Sequence, residues 1–299
     1  MIVKEIKLID PIIVSFRIFG VQLSIHWYGL LAAIGVLVGG MIAEREIVRR
    51  GGQRDYLFDL LLWVVPAGII GARLWYVLND IAGGSRFFIE KPVRILQITQ
   101  GGLHIYGAIA LGLLVAYYYT RRYPFDIRLF LDAVSPGLLV GQAIGRVANF
   151  INQELYGPPT DLPWGVPISE TARRGIYRDL EKYPLESTRF HPTFFYEAIA
   201  NLLIAGFLLW LARKYEKRLK PGAVFFLWLI LEGVKRYFIE FFRPDQPLIP
   251  GTGFSYSRLV ALLMALIGTL LMLVRYKKIK LSFLPEGPDK YKIPRKRRR

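Results

Sequence analysis

Polar side chains that could bind an anion stand at the end of a long apolar run, between residues 142 and 157. In a helix, the spacings i, i+4, i+7 and i+11 align four of them on one face: Gln142, Arg146, Asn149 and Gln153. Such a stripe cannot face lipid, so it must face a cavity or other helices. Because ionisable groups at membrane depth are costly and usually functional, the stripe predicts an anion-handling site. A purely structural network is the alternative, although one arginine and three amides exceed what helix packing usually needs.

A second group of charged residues lies in a later apolar run, between residues 232 and 243. Glu232, Arg236 and Glu240 repeat at i+4, which places a carboxylate, a guanidinium and a carboxylate on one helix face. Alternating charges at this spacing stabilise a helix by only about 0.2–0.5 kcal/mol per pair. Inserting one charged residue at the centre of a span costs about 2.5–3.5 kcal/mol. Several of them on one span therefore indicate a polar interior and a site.

Three single residues within or beside apolar runs need a separate interpretation. Tyr28 stands at the start of a run, where it is either an interfacial anchor or part of a site. Arg73 falls about two turns inside the end of another run, where it either extends its charged head to the surface or binds an anion. Glu197 falls within a third run and needs a partner.

Seven apolar stretches must position these residues. The chain of 299 residues is 53% hydrophobic, with a mean hydropathy of +0.33, which is too apolar for an ordinary soluble domain. A helix needs about 20 apolar residues to cross a bilayer. The stretches of about that length are 26–44, 57–79, 104–120, 128–150, 192–212, 222–242 and 257–275. We therefore predict an all-α integral membrane protein with about seven transmembrane helices.

We expect three parts along the chain. Residues 1–275 are predicted to form one transmembrane domain that carries the site. Within it, residues 151–190 are rich in Pro, Gly and Thr and are predicted to form a small irregular head. Residues 276–299 are predicted to form a basic cytoplasmic tail.

The distribution of positive charge orients the chain in the membrane. With the N-terminus outside, the cytoplasmic segments and the tail carry 23 Lys and Arg, whereas the outside segments carry 12. Because cytoplasmic segments carry the excess of Lys and Arg, we predict an N-out, C-in orientation with the head outside. This asymmetry accounts for the net charge of +17 without nucleic-acid binding. The basic end at residues 295–299 is expected to rest on anionic lipid.

The absence of cysteine and the scarcity of histidine limit the chemistry. This chain can supply no disulfide, no thiolate metal site and no cysteine nucleophile. His26, His104 and His191 each lie near an expected membrane surface without metal-ligand spacing, so we expect no metal and no cofactor. We also find no short apolar core with a small-residue cleavage site, so we expect no removable signal peptide.

Several motifs together resemble the prolipoprotein diacylglyceryl transferase family of the bacterial inner membrane. Residues 145–157, GRVANFINQELYG, are similar to the family signature G-R-x-G-N-F-x-N-x-E-x-x-G, with Ala148 in place of a glycine. A second specific match is RYFIEFFR at residues 236–243. Weaker matches occur in the family's order at residues 26–29, 71–73, 101–107 and 191–197, so the resemblance covers about residues 10–275.

This resemblance implies a reaction. The family transfers the diacylglyceryl group of phosphatidylglycerol to the lipobox cysteine thiol of a preprolipoprotein, forming a thioether and releasing glycerol phosphate. The implied partners are phosphatidylglycerol, the preprolipoprotein signal peptide and membrane lipids. The implied location is the bacterial inner membrane, with the site toward the periplasm. The missing cysteine is compatible with this reaction, because the partner supplies the nucleophile.

The matching positions also imply residue roles. The expected catalytic residues are Arg146, Arg236, Glu154, Glu240 and Tyr106. The expected residues for binding phosphatidylglycerol are Arg146, Asn149, Tyr28, Arg73, Asn152, Gly157 and Arg243. Because a guanidinium can bind a phosphate with two parallel hydrogen bonds, the two arginines Arg146 and Arg236 are expected to clamp the phosphate. The two glutamates are expected to orient them.

The group that accepts the thiol proton stays open. Some family members carry a histidine, proposed as the base, at the position of Tyr106, and this role cannot be transferred to a tyrosine. On a helix His104 would point about 160–200° away from Tyr106. Cationic neighbours lower the pKa of a thiol, so we favour the field of the arginines, with Glu240 or Tyr106 as the proton relay.

Two other classes of function are alternatives to a transferase. A lipid or anion transporter would also bury arginines, but it would be expected to show inverted repeats and broken helices, and no repeated Gly/Pro-interrupted pair is found. An intramembrane protease would need a paired nucleophile and base, but Ser135 is far in sequence from every histidine.

Overall fold

A computed structural model describes residues 9–18, 21–97, 101–122, 126–243, 246–282 and 287–293 of the chain. Its first elements are the strands β1 (Ile12–Ile18) and β2 (Val21–His26), which pair in a two-stranded sheet. The sequence analysis predicted no strand here. Both segments are rich in β-branched residues and partly alternate between apolar and polar positions, as strands do. They are too short for a search for spans of about 20 residues to detect.

The rest of the described chain is mostly helical. The seven long helices are α1 (Trp27–Arg49), α2 (Asp55–Ala82), α4 (Ile105–Arg122), α5 (Ile127–Ile151), α6 (Thr193–Lys214), α7 (Ala223–Ile239) and α8 (Tyr256–Arg275). Between α2 and α4 lie one short helix, α3 (Phe87–Glu90), and a 3₁₀ turn, Pro92–Leu96. Each of the seven apolar stretches thus overlaps a long helix.

Five of these helices are long and apolar enough to cross a membrane, judged by length and composition: α1, α2, α5, α6 and α8. Helix α7 has 17 residues, and α4 ends in a Tyr-Tyr-Tyr-Thr-Arg-Arg run that lowers its hydropathy. The structure therefore agrees with a mostly helical membrane protein.

Contacts within the chain divide it into two compact units. The first comprises residues 1–15, 25–43 and 131–290, and the second comprises residues 16–24, 44–130 and 291–299. The predicted division into residues 1–275 and a tail at 276–299 follows different boundaries and stays a prediction.

In the first unit, a hydrophobic cluster joins three helices: Leu139 of α5, Ala205, Leu208 and Ala212 of α6, and Val224 of α7. Helices α1 and α5 meet at glycines. A Cβ atom on Gly39 would lie 2.6 Å from the carbonyl oxygen of Gly137, closer than real contacts allow. Only glycine permits this backbone approach, which fixes α1 against the helix that carries Arg146.

The head after α5 contains short turns, among them the 3₁₀ turns Glu170–Ala172 and Gly175–Arg178. Its core contains Tyr156, Ile168, Phe190 and Phe194. Arg173 is buried against Phe190, with the guanidinium carbon 5.2 Å from the ring centre. Burial lowers the pKa of this guanidinium, which donates to the carbonyl oxygens of Ile168 and Tyr183. The predicted irregular head is thus a small packed body at the end of α5.

Candidate active site

The carboxyl end of α5 holds the first arginine of the site. Nη1 of Arg146 donates to Oδ1 of Asn149 (2.9 Å), one turn later on the same helix. Nδ2 of Asn149 donates in turn to Oε1 of Glu154 (2.8 Å), which also accepts from Nδ2 of Asn152 (3.4 Å). Arg146 and Asn149 of the predicted stripe are thus linked to Glu154 in the following turn, where Glu154 holds the two amides. The prediction that Gln153 continues the same helix face is wrong, because α5 ends at Ile151.

That turn has an unusual backbone. Gln153 and Leu155, on either side of Glu154, have φ angles of 52° and 59°. A residue with a Cβ atom in this left-handed region costs roughly 1–3 kcal/mol, and such strain is typical of functional sites. The side chain of Gln153 accepts a hydrogen bond from the backbone of Ser169 (2.7 Å). The head thus supports the strained turn that presents Glu154.

Helix α6 supplies a carboxylate that both arginines contact. Oε1 of Glu197 lies 2.5 Å from Nη2 of Arg146 and 3.9 Å from Nη1 of Arg236. From the sequence, Glu197 was expected only to need a partner within its span. The two arginines, predicted from separate motifs, are therefore brought together by a residue from a third helix.

Helix α7 holds the second arginine. Nη2 of Arg236 lies 3.4 Å from Oε2 of Glu240, one turn later. The other carboxylate oxygen of Glu240 accepts from Oγ of Ser255 (2.8 Å), the N-cap residue of α8. Glu232 does not continue this row, because it pairs with Lys235 at 2.7 Å. Glu240 is thus anchored on one side while it contacts Arg236 on the other.

Burial separates the two signs of charge. The side chains of Glu197 and Glu240 are 6% and 1% exposed, whereas those of Arg146 and Arg236 are 20% and 23% exposed. The carboxylates are therefore buried, whereas both arginine side chains stay partly accessible. Two partly accessible arginines can donate several hydrogen bonds to one tetrahedral anion.

The other predicted substrate-binding residues of the first unit are Gly157, Arg243 and Tyr28. Gly157 donates from its backbone to the carbonyl oxygen of His191 (2.8 Å), and a Cβ atom there would lie 2.9 Å from the carbonyl oxygen of Phe242. Arg243 is half-buried just after the 3₁₀ turn Glu240–Phe242. Tyr28 lies in the first turn of α1 and is 52% exposed.

Two predicted residues, Arg73 and Tyr106, belong to the second unit. Arg73 donates to the carbonyl oxygens of Arg94, Ile95, Gly101 and Gly102 at 2.7–3.1 Å. These bonds use four of its five N–H groups, and the residue is only 8% exposed. Tyr106 is 66% exposed at the start of α4, and its ring centre lies 6.4 Å from that of Trp75.

Glu197 and Ser255 are two residues of this arrangement that were not among the expected site residues. The position of Glu197 inside a span was a signal, since a buried carboxylate requires a partner. The position of Ser255 directly before an apolar run predicts only that it is a helix N-cap. Its bond to Glu240 joins residues 15 apart across a turn and leaves no local pattern. Within the described ranges, no three His, Cys, Asp or Glu side chains come together as metal ligands would.

Known proteins are similar to this chain over most of its length. The model of the prolipoprotein diacylglyceryl transferase family matches residues 14–274. A phosphatidylglycerol–prolipoprotein diacylglyceryl transferase from Chloroflexus aggregans is 39% identical over 253 residues, which is 82% of this chain and 81% of the relative. Relatives of the same name from Halalkalibacterium halodurans (36% identical; 89% and 87% covered) and Bifidobacterium longum subsp. infantis (35%; 85% and 81%) are also similar. Because the family model spans most of the chain and relatives above 30% identity cover most of it, the chain belongs to the prolipoprotein diacylglyceryl transferase family.

Proposed function

We propose that Arg146 and Arg236 bind the phosphate of phosphatidylglycerol while this transferase carries out the first step of bacterial lipoprotein maturation. In that step the diacylglyceryl group passes from phosphatidylglycerol to the lipobox cysteine of a preprolipoprotein. The observation that carries the proposal is the pair of partly exposed arginine side chains, both in contact with one buried carboxylate, Glu197.

The bond changes explain why the site needs two cations. The cysteine sulfur attacks the glyceryl carbon attached to the phosphate oxygen. A carbon–sulfur bond forms, the carbon–oxygen bond breaks, and glycerol phosphate leaves with the bonding electron pair. The departing phosphate gains negative charge, which guanidinium groups already held in place stabilise more strongly in the transition state than in the bound lipid.

The remaining site residues of the first unit are proposed to position the lipid and the arginines. Asn149, Asn152 and Tyr28 would bind the glycerol headgroup, and Glu154 holds the two amides through the bonds described above. Gly157 keeps room beside the turn, and Arg243 adds positive charge. Arg73, predicted from the sequence to bind lipid, is proposed instead to position the connection between α2 and α4, because four backbone carbonyl oxygens already accept from it.

The thiol proton has no histidine acceptor in this proposal. The arginine field is proposed to lower the pKa of the substrate thiol and so favour the thiolate. Both oxygens of Glu240 already have contacts, with Ser255 and with Arg236, which suits an orienting role. Tyr106, with its exposed hydroxyl-bearing ring, is then the candidate proton relay.

We also propose the finer topology. Helices α4 and α7 would complete seven spans, because each lies between helices that meet the criteria for a span. The charge asymmetry supports an N-out, C-in orientation. Arg146 and Arg236 both lie near the carboxyl ends of their helices, and the head follows α5 directly. In that orientation the site faces the periplasm.

The purified protein, mixed with phosphatidylglycerol vesicles and a lipobox peptide, tests the proposal by mass spectrometry of the peptide. We expect a diacylglyceryl mass gain with the parent protein. We expect Arg146→Ala and Arg236→Ala each to lower the rate about 100- to 1,000-fold, the usual effect of removing one donor to a developing anion.

Arg128→Ala is the matched control, because Arg128 lies at the opposite end of α5 and is 35% exposed. Its activity should stay near that of the parent. Near-normal transfer by either site variant would reject the assignment of that arginine. No mass gain with the parent, combined with uptake of labelled anion into proteoliposomes, would support the transporter alternative.

A further inference from the structure

A buried carboxylate links the two helices that carry the arginines, far from the arginines themselves. Asp132 lies in the second turn of α5 and is fully buried. Its Oδ2 accepts a hydrogen bond from the backbone of Gly222 (2.6 Å), and its Oδ1 accepts one from the backbone of Phe225 (2.8 Å). These residues are about 90 positions away in sequence, at the start of α7.

The start of α7 needs such a partner. The first N–H groups of a helix have no intrahelical acceptor, and the N-cap of α7 is Gly222, which has no side chain to supply one. Gly222 has a φ angle of 95°, a conformation that favours glycine over the usual capping residues. Asp132 therefore caps α7 from another helix, and its negative charge suits the positive end of the helix dipole.

The distances along the two helices match. Arg146 follows Asp132 by 14 residues along α5. Arg236 follows Gly222, the residue bonded to Asp132, by the same 14 residues along α7. At 1.5 Å per residue, each arginine lies about 21 Å from the Asp132 anchor. The hydrophobic cluster that contains Leu139 and Val224 joins the two helices, and Glu197 contacts both arginines near their other ends.

We propose that Asp132 is a positioning residue for the transfer reaction. By holding the first turn of α7 on α5, it sets the axial register of the two helices and brings Arg146 and Arg236 to one depth. This inference rests on the proposed role of the two arginines as a joint phosphate clamp. Asp132 itself does not touch the lipid in this proposal.

The register matters because the clamp is sensitive to small displacements. A slip of one residue along α7 would move Arg236 by about 1.5 Å relative to Arg146. A misplacement of about 1 Å can lower a rate about 100-fold without removing any catalytic group. Such an error should lower kcat more than it raises KM, because it affects the transition state more than lipid binding.

Asp132→Asn tests the proposal, with Asp126→Asn as the matched control. Asp126 is also a buried aspartate that accepts two backbone hydrogen bonds, from Arg128 (3.0 Å) and Lys292 (2.8 Å), but neither donor belongs to α7. We expect Asp132→Asn to lower kcat about 100-fold with KM for phosphatidylglycerol changed by less than about threefold. Asp126→Asn should lower the melting temperature without this loss of kcat.

A distance measurement makes the test independent of activity. Because the chain has no cysteine, Val147→Cys and Phe238→Cys give two labelling positions without background. They lie on α5 and α7 beside the arginines and are 40% and 61% exposed. Double electron–electron resonance measures the distribution of distances between spin labels at the two positions. Asp132→Asn should shift or broaden this distribution, and Asp126→Asn should leave it unchanged.

The outcomes separate this inference from the proposed function. An Asp132→Asn protein with the distance and kcat of the Asp126→Asn protein would overturn the register role. If Asp132→Asn does not fold, Asp132→Glu is tested instead, because it keeps the charge but is one methylene longer. Full kcat with an unchanged distance between the spin labels would then also overturn the register role. Near-normal activity of Arg146→Ala and Arg236→Ala would instead refute the clamp, whatever Asp132 does.

Discussion

At the scale of single residues, Glu197 is the side chain on which the arrangement of the two arginines depends. It is buried, and one of its oxygens serves both guanidinium groups. Removing one member of a buried ion pair costs about 3–5 kcal/mol, because the remaining charge is left uncompensated. Here the remaining charges would be the two groups that are proposed to bind the phosphate.

We therefore expect Glu197→Gln to lower both stability and rate. The amide keeps an acceptor oxygen but loses the charge that attracts Arg146 and Arg236, so kcat should fall about 10- to 100-fold. Glu232→Gln is the matched control, since Glu232 pairs with Lys235 on α7 and contacts neither arginine in the described structure. Transfer assays and thermal unfolding in detergent measure the two effects. Equal rates for the two variants would contradict a special role for Glu197.

At the scale of elements, Arg73 shows how one side chain organises a connecting segment. Its four bonds to backbone carbonyls join two parts of the connection between α2 and α4, at residues 94–95 and 101–102. The connection also carries exposed apolar side chains, among them Ile89, Val93 and Leu96, as interfacial segments do. The bonds thus favour a positioning role for Arg73 over direct binding of phosphate.

Arg73→Lys separates these two roles. Lysine keeps the charge but has three N–H groups on one nitrogen and cannot reproduce the planar set of donors. We expect faster amide hydrogen exchange at residues 94–97, with KM for phosphatidylglycerol changed by less than about threefold. Arg86→Lys, at an exposed position of the same connection, should change neither. A roughly tenfold rise in KM with unchanged exchange would favour the sequence-based prediction that Arg73 binds substrate.

At the scale of the whole molecule, the orientation in the membrane decides which side the site faces. Helix α6 has 22 residues and separates the head from the loop before α7. It is one of the helices long and apolar enough to cross a membrane. The predicted orientation therefore places the head and the site-bearing ends of α5 and α7 on the periplasmic side.

Single cysteines test this orientation directly, because the parent chain has none. Ile176→Cys lies in the head, where Ile176 is 67% exposed, and Lys217→Cys lies in the loop after α6. A membrane-impermeant maleimide should label Ile176→Cys in intact spheroplasts and Lys217→Cys only after lysis. The reverse labelling pattern would show that the topology is opposite to the predicted one. Labelling of both cysteines before lysis would show that α6 does not span the membrane.

Local sequence patterns are enough to predict the helices and the candidate residues. Apolar stretches of span length predict α1 and α5 without any partner, and the i, i+3 and i, i+4 spacings predict the contacts of Arg146 with Asn149 and of Arg236 with Glu240. The family motifs added the reaction, which the comparisons support. The strand pair before α1 was missed because it is too short to resemble a span.

The contacts between distant residues, in contrast, could be found only in the folded chain. Glu197 contacts Arg146 from 51 positions away, and Asp132 caps α7 from about 90 positions away. Helical periodicity states which face a side chain occupies, but it does not state which other helix lies opposite or at what axial register. Those choices depend on packing, such as the close contact of Gly39 with Gly137, and packing is a property of the assembled helices.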